Sequence, residues 1–163
     1  MRNTSFAEFH CSLAQSLEVM GDWWSPLILR DLYLGLDRFD QLVTDLGISR
    51  NLLTNRLETM VDAGLIARTP YQDNPVRYRY TLAEAGRELL PILMALTAWG
   101  DRWMTPDGGP PIQFTHTTCG HRMTPTVACS ECGEPLDTEQ VRPTPGPGGR
   151  TAPGTALIAT VLR

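Results

Sequence analysis

From Gly47 to Leu82 the chain reads GISRNLLTNRLETMVDAGLIARTPYQDNPVRYRYTL, and that order of signals leaves few folds open. Ser49 is a good N-cap, and Ile48 before it is placed to staple onto Leu53. On a 100° wheel Leu53, Leu57, Met60 and Val61 fall on one arc. Asn51, Asn55 and Glu58 face away, and Arg50, Thr54 and Arg56 flank. Gly64 permits the left-handed turn that ends a helix. Two strand-like runs follow, Leu65 to Thr69 and Val76 to Leu82, with turn chemistry in TPYQDNP between them. Strand alternation puts Val76, Tyr78, Tyr80 and Leu82 on one face, and Arg77, Arg79 and Thr81 on the other. A capped helix that stops at glycine and runs into a two-stranded ribbon with outward arginines has the layout of a winged helix. Such a unit can touch duplex DNA twice, in a groove and along the phosphates.

The preceding residues complete the motif. Phe6 to Val19 has apolar spacings of three and four, which predict a helix. Ser25 is expected to cap a second helix with Pro26 in its first position, and Gly35 to stop it. Asp37 is expected to cap a third, running through Leu46 with Phe39, Leu42, Val43 and Leu46 inward. A third helix, a Gly47 turn and a fourth helix with a polar outer face make a helix-turn-helix, with the fourth as recognition helix. Glu84 to Trp103 reads as a long helix that Pro91 should kink. Its Leu89, Leu93, Leu96 and Trp103 are too many apolar side chains for a free-standing helix, and are expected to pack on the first helix and on a partner subunit.

Charge fits this placement even though its sum does not. The chain carries −4 overall with a pI near 5.3, unusual for a protein that binds nucleic acid. Gly47 to Leu82, however, holds five arginines against three acids, so positive charge is focused on the motif. Candidate DNA-binding residues are Ser49, Arg50, Asn51, Thr54, Asn55 and Arg56 on the helix and Arg77 and Arg79 on the wing. Asparagine can bond adenine bidentately, arginine can bond guanine or phosphate, and free N–H groups at the helix start can bind a phosphate. No phosphate loop, nucleophile elbow or paired-carboxylate pattern stands out, so the chain is not expected to be an enzyme. It lacks a run of 18 apolar residues, and a cytoplasmic location without membrane contact is expected.

Beyond Trp103 the composition changes. Thr105 to Pro111 reads as a linker, and Ile112 to Leu136 is rich in Cys and His. Of the 12 residues from Pro143 to Gly154, 8 are Pro or Gly, which predicts a mobile stretch. Thr155 to Leu162 is apolar and could add a strand. His116-x2-Cys119-Gly120 and Cys129-x2-Cys132-Gly133 are matching knuckles. Each brings two ligands round a tight turn, and together they could form a Cys3His site suited to a structural Zn2+. His121 competes with His116 for the fourth position. The same Cys-x2-Cys could instead be a redox pair, making the tail a thiol-redox or protein-interaction module.

CSLAQSLEVMGDWWSPLILRDL, RFDQL, GISRNLLTNRL and RYRYTL together resemble the HxlR-type winged-helix transcription regulators of bacteria. The likeness runs from Cys11 to Trp103. It departs at Trp23, where many members have Lys, and at Ala83, where the last helix often has a capping Thr or Ser. The resemblance implies a homodimer on a palindromic operator, most often a repressor that responds to an electrophile, oxidant or small ligand. It also implies that Cys11 is the thiol sensor; taken by itself, Cys11 could equally be a small hydrophobe in a dimer seam. The expected architecture is mainly α with a small β-wing. Residues 1–104 would form a winged helix-turn-helix and dimerisation domain, 105–111 a linker, and 112–163 a short zinc-ribbon-like β appendage.

Overall fold

The computed structural model describes residues 5–105 and 107–162. In chain order the elements are α1 (Ser12–Met20), α2 (Ser25–Tyr33), α3 (Phe39–Leu46), α4 (Arg50–Asp62), β1 (Ile66–Asp73), β2 (Val76–Leu82), α5 (Glu84–Trp103), β3 (Phe114–His116), β4 (His121–Met123) and the short α6 (Ile158–Val161). The chain divides into two compact units, one of residues 1–87 with 142–163 and one of residues 88–141.

The first unit is built round a small apolar core. Ile28 and Leu29 of α2, Leu42 of α3, and Leu53, Leu57 and Met60 of α4 are fully buried, with Ile66 and Tyr80 of the ribbon beside them. Three helices contribute side chains at helical spacing, so burial of one face of each also sets their mutual angles. Between α3 and α4 the chain turns at Gly47, whose φ of +63° suits glycine. Ile48 is buried in that turn, and the Ser49 hydroxyl accepts from Leu52 N at 3.3 Å. The expected cap and the helix-turn-helix are therefore both formed. Strands β1 and β2 pair antiparallel from Ile66↔Leu82 to Asp73↔Val76, with an irregularity between Pro70 and Gln72. Asn74–Pro75 in the turn is cis. Tyr80 N donates to Asp37 O at 2.8 Å, which ties the wing to the start of α3. At Gly86 a Cβ would stand 2.1 Å from Leu65 O, so the start of α5 approaches the root of the ribbon too closely for any side chain.

Several boundaries differ from expectation. α1 begins at Ser12 rather than Phe6, because the Gln15 amide donates to the carbonyls of Phe6, Ala7 and Phe9 and holds that segment in a non-helical turn. The N-cap of α2 is Trp24, not Ser25, and the Asp22 carboxylate serves the helix start from outside: Oδ1 accepts from Trp24 N at 2.7 Å and Ser25 N at 3.0 Å, and Oδ2 accepts from the Ser25 hydroxyl. At α3 the N-cap is Arg38, whose N–H donates to the Gln41 side chain at 3.0 Å; the Asp37 carboxylate faces arginines instead. β1 extends to Asp73, well past Thr69, leaving a much shorter turn. Thr155 to Leu162 forms turns and the helix α6 rather than a strand.

The second unit contains most of α5 and the Cys/His segment. α5 spans Glu84–Trp103 as expected, with Pro91 inside it; Ile92, Leu96, Trp99 and Trp103 are exposed on it. β3 and β4 form a three-pair hairpin, and an Ala128↔Pro135 bridge closes a second one. The long helix groups with the Cys/His hairpins, and the Pro/Gly-rich end of the chain returns to the first unit, where His10 N donates to Pro153 O at 3.0 Å.

Candidate nucleic-acid interface

The outer face of α4 presents Asn51, Thr54 and Asn55 to solvent. The Thr54 hydroxyl donates back to Arg50 O at 3.0 Å. Among the described residues nothing engages the side-chain amides of Asn51 and Asn55, so both donors and both acceptors are free for base edges. Ser49 spends its oxygen on the cap but keeps a hydroxyl hydrogen that can go to a phosphate.

The arginines are less free than the sequence suggests. Arg50 Nη2 lies 2.6 Å from Asp40 Oδ1, with its guanidinium 5.5 Å from the Phe39 ring centroid. On the wing, Arg77 reaches Asp40 Oδ2 at 3.9 Å and Arg79 reaches Asp37 Oδ2 at 3.7 Å. Arg56 is turned inward. It is 26% exposed, with Nε 3.5 Å from Asp22 Oδ1, so it braces the start of α2 rather than reaching outward. The wheel placed it on a flank, and the carboxylate of Asp22 drew it in. Arg38, which sequence reasoning missed, bridges to Arg79 and lies over Tyr71 at 5.1 Å. The Arg-Phe pair opening α3 is the only signal that pointed to it.

In α2 Asp31 is fully buried. Its Oδ1 meets Arg30 Nη2 at 2.6 Å, Arg30 continues to Asp45 at 3.1 Å, and Oδ2 has no hydrogen-bond partner. Burial raises the Asp31 carboxyl above its usual range, with Arg30 opposing. Burial likewise pushes the Tyr80 phenol up.

Cys11 occupies the N-cap position of α1 and is half-buried. It lines a cleft of about 1110 Å3, together with Phe9, His10 and Gln15 on one side and Arg150 and Ile158 on the other. His10 Nε2 donates to Gly148 O at 2.6 Å. Gly154, at φ +82°, sits so near Phe9 that a Cβ would come within 2.6 Å of the ring.

The two knuckles are formed, each on a left-handed glycine. In the first, Gly120 has φ +72°, its N–H donates to His116 O at 2.8 Å, and Cys119 Sγ lies 3.4 Å from His116 Nδ1. In the second, Gly133 has φ +76° and donates to Cys129 O at 2.9 Å. Backbone N–H groups of Cys132 and Glu131, and then the Cys132 side chain, lower the Cys129 thiol. His121 stands opposite His116 across β3–β4, whereas it is His116 that pairs with Cys119. The donors suit Zn2+, and each pair has the shape of half a site. Among the described residues, however, no group of three or more His, Cys, Asp or Glu side chains is gathered for a metal, so the halves are not joined into one tetrahedron.

Comparison with known proteins places this geometry. The HxlR-like helix-turn-helix family matches residues 19–108, which hold α2 to α5 and all eight candidate DNA-binding residues but not Cys11 or the tail ligands. The HTH-type transcriptional regulator Rv3095 of Mycobacterium tuberculosis is 43% identical over 137 residues, 84% of this chain and 87% of its own. That match is longer than the family region, so the likeness continues outside it. Another HTH-type regulator, sll1512 of Synechocystis, is 36% identical over 95 residues, 58% of this chain and 70% of its own. Among solved structures, PA1607 superposes with a TM-score of 0.75 at 31% identity, covering 86% of this chain and 99% of that one. The redox regulator HypR in its reduced form superposes at 0.53 with 27% identity, covering 56% and 92%. Winged helix-turn-helix transcription regulators, not enzymes, thus share both the sequence and the fold, and the chain belongs to the HxlR-like helix-turn-helix family of DNA-binding transcription regulators.

Proposed function

We propose that the protein is a homodimeric repressor that reads a palindromic operator. One observation carries this reading: on α4 an exposed row of Asn51, Thr54 and Asn55, its amides unengaged, lies next to a wing bearing Arg77 and Arg79. That pairing supplies base readout and phosphate contact from one face. Dimerisation is favoured by the apolar side chains left in solvent, Leu13 and Leu17 on α1 and Leu96, Trp99 and Trp103 on α5. Footprinting on the DNA flanking its own gene tests both parts. Two symmetric half-sites about one helical turn apart, or a small multiple of that, are expected; protection of a single unrepeated site by a monomer would contradict the dimer.

Release is proposed to run through Cys11. HypR, which this chain resembles at 27% identity, is described as a redox regulator, and Cys11 lines a cleft large enough for a small electrophile. Cys11→Ser should still bind the operator but no longer let go on treatment with a quinone or peroxide. If wild type and variant are released alike, the sensor is another thiol.

The tail is proposed to hold one structural Zn2+ through His116, Cys119, Cys129 and Cys132. Support comes from the two glycine-closed knuckles and from the choice of His116 over His121 beside Cys119. Metal would draw the two pairs together. Substituting His116 should release it, and substituting His121 should not.

A further inference from the structure

The α4–wing face is studded with arginines, yet four of those at this face already have an anion close by. Arg50 and Arg77 share Asp40, at 2.6 and 3.9 Å, and Arg79 and Arg38 share Asp37, at 3.7 and 3.9 Å. Two carboxylates thus face four guanidiniums drawn from α4, strand β2 and the start of α3. The placement is not that of loose surface pairs. Asp40 lies in the first turn of α3, where the helix dipole favours a negative charge. Asp37 is anchored by its own carbonyl, which takes the Tyr80 N–H of β2. Tyr71 lies beneath the guanidiniums of Arg38 and Arg79, and Phe39 beneath that of Arg50.

Pairs this exposed add little to folding, so their consequence lies in binding. A carboxylate offers guanidinium the same anionic oxygens as a phosphodiester does. Resting on the reading that this face binds DNA, we propose that Asp37 and Asp40 are built-in phosphate surrogates that hold down binding to bulk DNA. A phosphate reaching Arg50 must displace Asp40 from its hydrogen bond, and one reaching Arg77 or Arg79 arrives beside a carboxylate 3.9 or 3.7 Å from the guanidinium. Any DNA meets this opposition. Binding that rests on phosphates alone is thereby kept weak, while the operator stays bound through the added bonds from base edges to Asn51 and Asn55.

The experiment compares wild type, Asp37→Asn/Asp40→Asn and Asp45→Asn on a footprinted site and on shuffled DNA of the same length, across a salt series. Asp45 also pairs with an arginine, Arg30 at 3.1 Å, but has no contact with the four arginines of the face, so it controls for bulk charge. Circular dichroism checks that all three fold. The double variant should bind shuffled DNA about tenfold more tightly, and the operator by a similar factor. Its log–log salt slope should steepen by about one, while Asp45→Asn matches wild type. Tightening by Asp45→Asn of half the double variant's effect or more on a logarithmic scale, the share due to one charge of two, would reduce the effect to net charge and overturn the proposal. So would weaker binding by the double variant, which would make the acids scaffolding for the arginines, and so would a misfolded one. Failure of the DNA-binding reading looks different: wild type itself would show no salt-dependent binding to either DNA.

Discussion

The two ends of this molecule are held together by opposite means. In the helix-turn-helix, the buried apolar residues, from Ala14 to Tyr80, form one core, and the polar face of α4 is positioned because its other face is packed. In the Cys/His segment no apolar side chain is fully buried among the described residues, and turns and short hairpins give the shape. A packed core fixes side chains on its surface without any ligand. A segment without a core needs a further connection before its two knuckles can act as one site. The outer face of α4 is therefore set as it stands, while the two knuckles would act as one site only once something joined them.

The largest effect expected from this contrast is on the ribbon. If the Cys/His segment holds the proposed Zn2+, a chelator should remove it and unravel the hairpins between 112 and 136, since zinc in such peptides supplies on the order of 10 kcal/mol of folding free energy. The helix-turn-helix should melt as before. Hydrogen exchange resolved by segment checks both halves of the statement. Free alkylation of Cys129 and Cys132 in fresh, metal-free protein would instead favour the redox-pair reading of the tail.

Next in size is the reciprocal experiment. Leu57 is 2% exposed in the core of α4, so Leu57→Ala should cost the first unit about 2–5 kcal/mol. DNA binding should fall with it, and the zinc proposed for the tail should stay. Loss of metal in that variant would mean that the two regions fold as one.

The smallest effect concerns Asp31. Its folded pKa lies above the unfolded value, so the native state binds the proton more tightly. Between those two values stability therefore falls as pH rises, and the cost is fully present above the folded pKa. Melting temperatures of wild type and Asp31→Asn should consequently shift relative to each other in favour of wild type as pH drops from neutral towards about 4. A pH-independent difference would mean that Arg30 offsets the burial completely.

Much of this was legible because it depends on local pattern. Gly47, Ser49 and Gly64 name their own conformations, the Leu53/Leu57/Met60 arc names its buried face, and strand alternation sorted Tyr80 from Arg79. What escaped depends on long-range partners. Nothing local says that Arg56 turns to Asp22, that Asp37 leaves its cap to Arg38 and faces Arg79, or that Gln15 holds Phe6 to Phe9 out of a helix. The return of Gly148 and Pro153 to His10 is likewise a contact across more than a hundred residues. Polar side chains choose among partners by proximity, and proximity belongs to the fold.

The central claim is that α4 reads bases while the wing grips phosphates, and one titration tests it most directly. Wild type, Asn51→Ala and Arg77→Ala are bound to the operator and to a shuffled sequence over a range of salt. Arg77→Ala should weaken binding to both DNAs alike and lower the salt slope by about one. Asn51→Ala should weaken only the operator, by roughly 1–3 kcal/mol at one base pair, with the slope unchanged. If Asn51→Ala weakens both DNAs equally, or Arg77→Ala leaves the slope untouched, the division of labour drawn here is wrong.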